Sequence, residues 1–241
     1  MFSALPFVRS YRRRKFLARP FPAAWEPIVA EHYGFVARLD ASEAEGFRNH
    51  LKVFVWEKHW LGTQGLVIDE AMKVVIAGAA ARIARRLPLG VYDRLTEVVV
   101  YPTHYLHPQS EAIIYGQAHH FGTVVLSWDA VRHGIATTND GHDTAIHEFA
   151  HVLDIADGAF DGTPLLGKNQ DYDTWARVMG YHFARLQQHP QRSILRSYGA
   201  LNEAEFFAVA TETFFEKPRL LKQRAPELYA ELSKFFGIDP Q

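Results

Sequence analysis

The run Asp143-Thr144-Ala145-Ile146-His147-Glu148-Phe149-Ala150-His151-Val152-Leu153-Asp154 admits few folds. Ile146, Phe149, Ala150 and Leu153 recur at the spacing of a helix with one buried face. Asp143 or Thr144 can cap its start, because a short oxygen-bearing side chain accepts an otherwise unpaired N–H of the first turn. His147 and His151 lie about 40° apart around such a helix and project from one side. Two imidazoles placed so can hold one zinc ion, and Glu148 can reach a water at the metal's open position and take its proton. The pattern predicts a helix partly buried against a core, with metal-assisted hydrolysis as its chemistry.

The rest of the composition restricts how that site is completed. The chain has 241 residues, enough to bury a core without disulfides. It has no cysteine, so thiolate metal sites and cysteine nucleophiles are excluded and any metal rests on His, Asp and Glu. Lys and Arg number 26 against 27 Asp and Glu, a net charge of −1 that gives no global attraction to nucleic acid or to an anionic membrane. No apolar run reaches the ~18 residues of a membrane span, and Arg9, Arg12, Arg13, Arg14 and Lys15 interrupt any signal-peptide core. A soluble, cytoplasmic protein is expected. Residues 1–20 read as a basic, solvated arm able to touch a phosphate or an acidic partner, and 21–241 as one domain.

Along the chain, Ala23 to Tyr33 and Asp40 to Trp60 read as helices. The second carries a buried stripe of Phe47, Leu51, Phe54 and Val55, and Ser42-x-x-Glu45 resembles a capping box. A helix from Asp69 to Arg86 turns Met72, Val75, Ile76 and Ala79 inward and Arg82, Arg85 and Arg86 outward; its Ala-Gly-Ala-Ala-Ala stretch suggests close packing. Thr96 to Tyr101, Glu111 to Gln117 and Gly122 to Ser127 read as short strands of a small sheet. The last of them is either an ordinary inner strand or an edge beside the cleft that pairs with an extended peptide. A loop over 157–171 follows, then helices from Asp173 to His189-Pro190, from Asn202 to Phe215 and from Pro218 to Phe236. The fold class is α+β, mainly helical with a small mixed sheet beside the His-Glu-x-x-His helix.

A catalytic zinc takes three protein ligands and keeps one position open, so a third donor is required. The apolar stretch Asn202 to Phe215 holds Glu203, Glu205 and Glu212, and a carboxylate in a buried helix is costly unless paired or bound to a metal. By composition all three qualify, and Glu205 also suits the third helical position, folding back onto an Asn202 cap. Asp154 either orients a ligand or is an exposed helix-end carboxylate. His142 is off the ligand face, and His119-His120 and His104-x-x-His107 read as polar surface.

Asn202-Glu203-Ala204-Glu205-Phe206-Phe207-Ala208, with His147-Glu148-Phe149-Ala150-His151 and Leu153-Asp154, resembles the Mlc titration factor A family of zinc peptidases. The chain is more distantly similar to the catalytic domain of anthrax lethal factor. The resemblance runs from about Ala23 to Phe236 and takes in Val99-Val100-Tyr101-Pro102, Val124-Val125-Leu126-Ser127-Trp128 and Glu212-Thr213-Phe214-Phe215. It implies a zincin-like fold of the gluzincin type and one Zn2+ per chain held by His147, His151 and Glu205. It also implies Glu148 as general base, Tyr198 as donor to the developing oxyanion and Glu212 in a supporting or structural place. The implied activity is aminopeptidase-like, on short peptide substrates; that no nucleic-acid or membrane partner is expected follows from the charge balance and hydropathy above. A rival reading is a binding module that sequesters a transcriptional repressor, and a third is hydrolysis of a non-peptide amide or ester.

Overall fold

In the computed structural model, which describes residues 6–106, 113–119, 122–168 and 171–240, the chain opens with α1 (Pro6–Ala18), α2 (Trp25–His32) and α3 (Ala41–Glu57). Strand β1 (His59–Gly62) and α4 (Glu70–Ala84) precede β2 (Glu97–Tyr101), β3 (Tyr105–Leu106), β4 (Ile113–Ile114), β5 (Gly116–His119) and β6 (Thr123–Ser127). Helices α5 (Trp128–Ala136), α6 (Thr144–Asp154), α7 (Tyr172–Gln188), α8 (Glu203–Glu216), α9 (Pro218–Arg224) and α10 (Pro226–Phe236) complete it. The mainly helical α+β class with a small mixed sheet is as the sequence predicts.

The sheet runs β1-β2-β6-β5, with β1, β2 and β6 parallel and β5 antiparallel to β6. Strand β6 is thus an inner strand, like β2, and the edge beside α6 belongs to β5; Val124 and Leu126 of β6 are fully buried, as an inner strand requires. Part of the expected strand from Glu111 lies outside the described residues. Behind the sheet, Phe149 of α6 meets Phe54 and Tyr92 with ring centroids 5.3 and 5.9 Å apart, fixing α6 against α3. Among the described residues no helix is long and apolar enough to cross a membrane.

Several boundaries differ from the sequence reading, each for a local reason. Helix α3 is capped by Asp40, which accepts the Glu43 N–H at 2.7 Å, rather than by Ser42 with Glu45. It stops at Glu57 because Lys58 turns extended and donates to the Tyr92 and Leu95 carbonyls, both at 2.7 Å, carrying the chain into β1. Arg82 and Arg85 are not outward-facing: Arg82 donates to Glu216 at 2.8 Å and Arg85 to Glu43 at 3.2 Å, both stacked over Phe35 and Phe215. The close packing expected of the Ala-Gly-Ala run is real, since a Cβ on Gly78 would lie 2.1 Å from the Tyr33 ring. Pro226, which has no N–H to continue α9, divides the last expected helix in two. Helix α5 was not foreseen.

The basic N-terminal run is helical and only partly solvated. Arg13 is buried and donates to Glu57 and to Asp93 at 2.6 Å, and Phe16 packs on Trp56, which ties α1 to α3. Arg14 and Lys15 stay exposed.

His50 of α3 provides a stability test. It is 5 % exposed, and its ring nitrogen Nε2 donates to the Leu87 carbonyl at 3.0 Å. Burial pushes it down to about 4, with the nearby Arg13 acting in the same direction. An unfolded histidine titrates near 6.5, so the neutral folded ring contributes stability above that pH, lost as pH falls toward 4. Urea unfolding at pH 7 and pH 4.5 is expected to show the advantage of the parent over His50→Gln shrinking by about 2–3 kcal/mol at the lower pH. An equal difference at both values would contradict this account.

Candidate metal centre

All eleven residues of α6 are buried, held between β5 and β6 on one side and α8 on the other. Asp143 caps it by accepting the Ile146 N–H at 3.0 Å. Helix α8 is capped by Asn202, which accepts the Glu205 N–H at 2.9 Å. The Glu205 side chain does not fold back onto that cap; it crosses to α6. Its Oε2 lies 3.0 Å from His147 Nε2 and 3.4 Å from His151 Nε2, and the two ring nitrogens are 3.1 Å apart.

Three donors around a tetrahedral zinc, each about 2.0–2.1 Å from it, stand about 3.3–3.4 Å apart, which is close to the spacing here. The electrostatics agree. Burial works against charge on both His147 and Glu205, yet the Glu205 and Glu212 hydrogen bonds lift His147 to about 10. The His147 and His151 bonds in turn hold Glu205 down at about 2. Without a metal the cluster thus favours a charged His147 between the Glu205 and Glu212 carboxylates, and a divalent cation held there would take the place of that positive charge. Among the described residues, His147, His151 and Glu205 form the group placed to hold a metal.

Glu212, fully buried seven residues after Glu205, holds the group from behind. One oxygen accepts His147 Nδ1–H at 2.7 Å and also Arg196 Nη2–H; the other accepts the Asp143 N–H at 2.8 Å. Accepting the Nδ1–H keeps a proton on that nitrogen and leaves Nε2, which faces Glu205 and His151, as the nitrogen that would bind a metal. Asp154 is neither an exposed helix end nor hydrogen-bonded to His151. It is fully buried and accepts the Gly162 N–H at 3.0 Å, while its Oδ1 and His151 Nδ1 have no hydrogen-bond partner among the described residues.

Glu148 is 5 % exposed on the cleft wall, and burial, opposed by the nearby His147, lifts it to about 7. Tyr198 is half exposed, its ring 5.8 Å from that of His147; burial and the Glu205 and Glu148 carboxylates raise its phenol, which stays protonated. The cleft encloses about 340 Å³ and is also lined by Tyr115, Gly116, His142, Thr144 and Arg196. His142 lines it without joining the donor group. Of the other histidines named from sequence, His104 packs against Tyr115 with the rings tilted, whereas His107 and His120 and the side chain of His119 lie outside the described residues.

Sequence reasoning missed Arg196, Gly116 and Phe160. Nothing about an arginine two residues before a tyrosine marks it as a partner of a buried glutamate. Gly116 is the position where β5 passes Glu148, and a Cβ there would lie 2.6 Å from the Glu148 carboxylate. Phe160 sits in the Gly- and Asp-rich loop with its ring 5.0 Å from that of His151.

The family model for the glucose-regulated metallo-peptidase M90 matches residues 8–237. The chain belongs to this metallopeptidase family. The match begins inside α1, so the basic helix is part of it, unlike the resemblance read from sequence alone. An uncharacterized protein of Synechocystis sp. is 30% identical over 250 residues, 98% of this chain and 91% of that protein. Proteins named Mlc titration factor A from Yersinia pestis and Yersinia pseudotuberculosis are 25% identical over 222 residues, 85% of this chain and 81% of theirs. Membership of the M90 family makes this a metallopeptidase with a peptide substrate, and the donor cluster on α6 and α8 is where a metal ion fits.

Proposed function

We propose that this M90 protein is a zinc-dependent peptidase in which His147, His151 and Glu205 hold one zinc ion. Glu148 serves as general base and Tyr198 as hydrogen-bond donor to the oxyanion. The convergence of three donor atoms beside a buried glutamate on an open cleft carries this reading. Zinc held there would supply Lewis acidity, polarising the scissile carbonyl and lowering the pKa of water. Glu148 takes the proton of the attacking water and returns it to the leaving amine, a task suited to a carboxyl lifted to about 7 by burial. The Tyr198 phenol, kept protonated by the same carboxylates, donates to negative charge that appears only in the transition state. Glu212, backed by Arg196, keeps His147 in the tautomer that ligation needs.

Aminopeptidase-like action on short substrates is the finer proposal, supported by the family resemblance and by the modest cleft. Among the described residues that line the cleft, the carboxylates are Glu148 and Glu212, the latter already paired with His147 and Arg196. A panel of free aminoacyl and amino-blocked fluorogenic peptides decides the matter: cleavage of the free series alone supports an exopeptidase, and equal cleavage of blocked peptides overturns that preference.

Gly116→Ala tests the contact between β5 and the base. The backbone there tolerates alanine, but the added Cβ must displace the Glu148 carboxylate or the strand. Zinc content is expected to stay near one per chain while kcat/KM falls at least about tenfold. Unchanged kcat/KM would show that the base is not held by this contact.

The name of the Yersinia relatives supports a second reading, in which the chain binds a regulatory protein such as a transcriptional repressor. Glu148→Gln separates the two, since it removes the base and leaves the surface intact.

A further inference from the structure

A second cavity, also of about 340 Å³ and sharing no lining residue with the metal cleft, opens between the C-terminal half of α7, the 189–195 segment and the α9–α10 junction. Arg185, Arg192 and Arg224 line it, and among the described residues no aspartate or glutamate does. Elsewhere Arg9, Arg13, Arg48, Arg82, Arg85, Arg86 and Arg196 each meet a carboxylate, whereas other unpaired arginines such as Arg14, Arg19 and Arg132 are scattered over the surface rather than gathered around one cavity. Among the described residues, none of the three cavity arginines forms an ion pair. Glu227, the nearby acid that acts on His182, meets Arg177 at 4.0 Å instead. Like charges gathered around one concavity repel, and a bound anion converts that repulsion into attraction.

The floor of the cavity is apolar: Leu186, Leu195 and Leu228 are all buried. Ser193 sits at its rim, accepting the Leu195 N–H at 3.0 Å and leaving its own O–H to donate. We infer that this cavity is a binding site for a phosphate-bearing small molecule. Guanidinium groups fork onto phosphate oxygens, three of them match a dianion better than a single carboxylate, and the leucine floor accepts an organic body. The wall formed by Arg192 to Leu195 continues directly into Arg196 and Tyr198, so the site abuts the metal cleft while remaining separate from it. The inference stands independently of the peptidase reading.

Calorimetric titration of the full chain, purified with its metal, tests it with phenyl phosphate, inorganic phosphate and neutral benzyl alcohol. One equivalent of phenyl phosphate is expected to bind with a submillimolar Kd, and Arg192→Gln and Arg224→Gln each to weaken it about tenfold or more. All three arginine side chains are exposed and without carboxylate partners, so the variants should melt at the parent temperature. Tighter binding of phenyl than of inorganic phosphate assigns the site to an ester, and equal binding to free phosphate. Absence of saturable phosphate binding, or an affinity unchanged in the Arg192→Gln/Arg224→Gln double variant, overturns the inference; the latter places the anion on the metal or elsewhere.

Discussion

Replacing Glu148 by glutamine is expected to abolish hydrolysis while leaving metal and fold in place. The amide keeps the volume and the hydrogen-bonding oxygen of the side chain and loses the ability to accept and return a proton. A positioned general base contributes about 10²–10⁴ in rate, so kcat should fall by at least about a hundredfold. Zinc content should stay near one per chain, because Glu148 is not among the donor atoms that converge. Stability should not fall, since the parent buries a carboxyl that burial already pushes up to about 7, and a neutral amide costs less to bury. Loss of zinc together with activity would mean that Glu148 holds the metal, and full activity would remove it from the mechanism.

The second large effect separates two glutamates on one helix. Glu205→Gln should lose zinc on dialysis, because Oε2 is the donor that closes the group with His147 and His151. Glu212→Gln keeps an oxygen to accept His147 Nδ1–H and should retain zinc with an affinity lowered about 10- to 100-fold. Competition against a chromogenic chelator reads both. Retention of zinc by Glu205→Gln alongside its loss from Glu212→Gln would exchange their roles.

The account explains why α6 and its two histidines were legible in the sequence. Ile146, Phe149, Ala150 and Leu153 recur at helical spacing and the cap, Asp143, is local, so period and boundary agree. The choice of Glu205 over Glu203 and Glu212 was not legible, because it depends on how α8 crosses α6 rather than on anything within α8. The Asn202 cap even offered Glu205 a sufficient local purpose. Strand β1 was hidden by Trp60 and Leu61, which continue the apolar run of α3 into a different backbone. Its start is decided by Lys58 and the distant carbonyls of Tyr92 and Leu95. Arg82, Arg85 and Arg196 were misjudged or missed for a common reason. Each is buried or positioned by a carboxylate from a remote segment, and sequence periodicity counts an arginine as surface.

The same long-range pairing ties the centre to the fold. Asp143 caps α6 and gives its N–H to Glu212, which holds His147. Helix start and ligand orientation therefore rest on two linked buried carboxylates, Asp143 and Glu212.

Zinc-edge anomalous diffraction from a crystal of the protein tests the central claim most directly. The account predicts one strong peak per chain within bonding distance of His147 Nε2, His151 Nε2 and a Glu205 oxygen, with Glu148 beside it and unbonded. A peak bound by Glu212 in place of Glu205, or located away from α6 and α8, would contradict it.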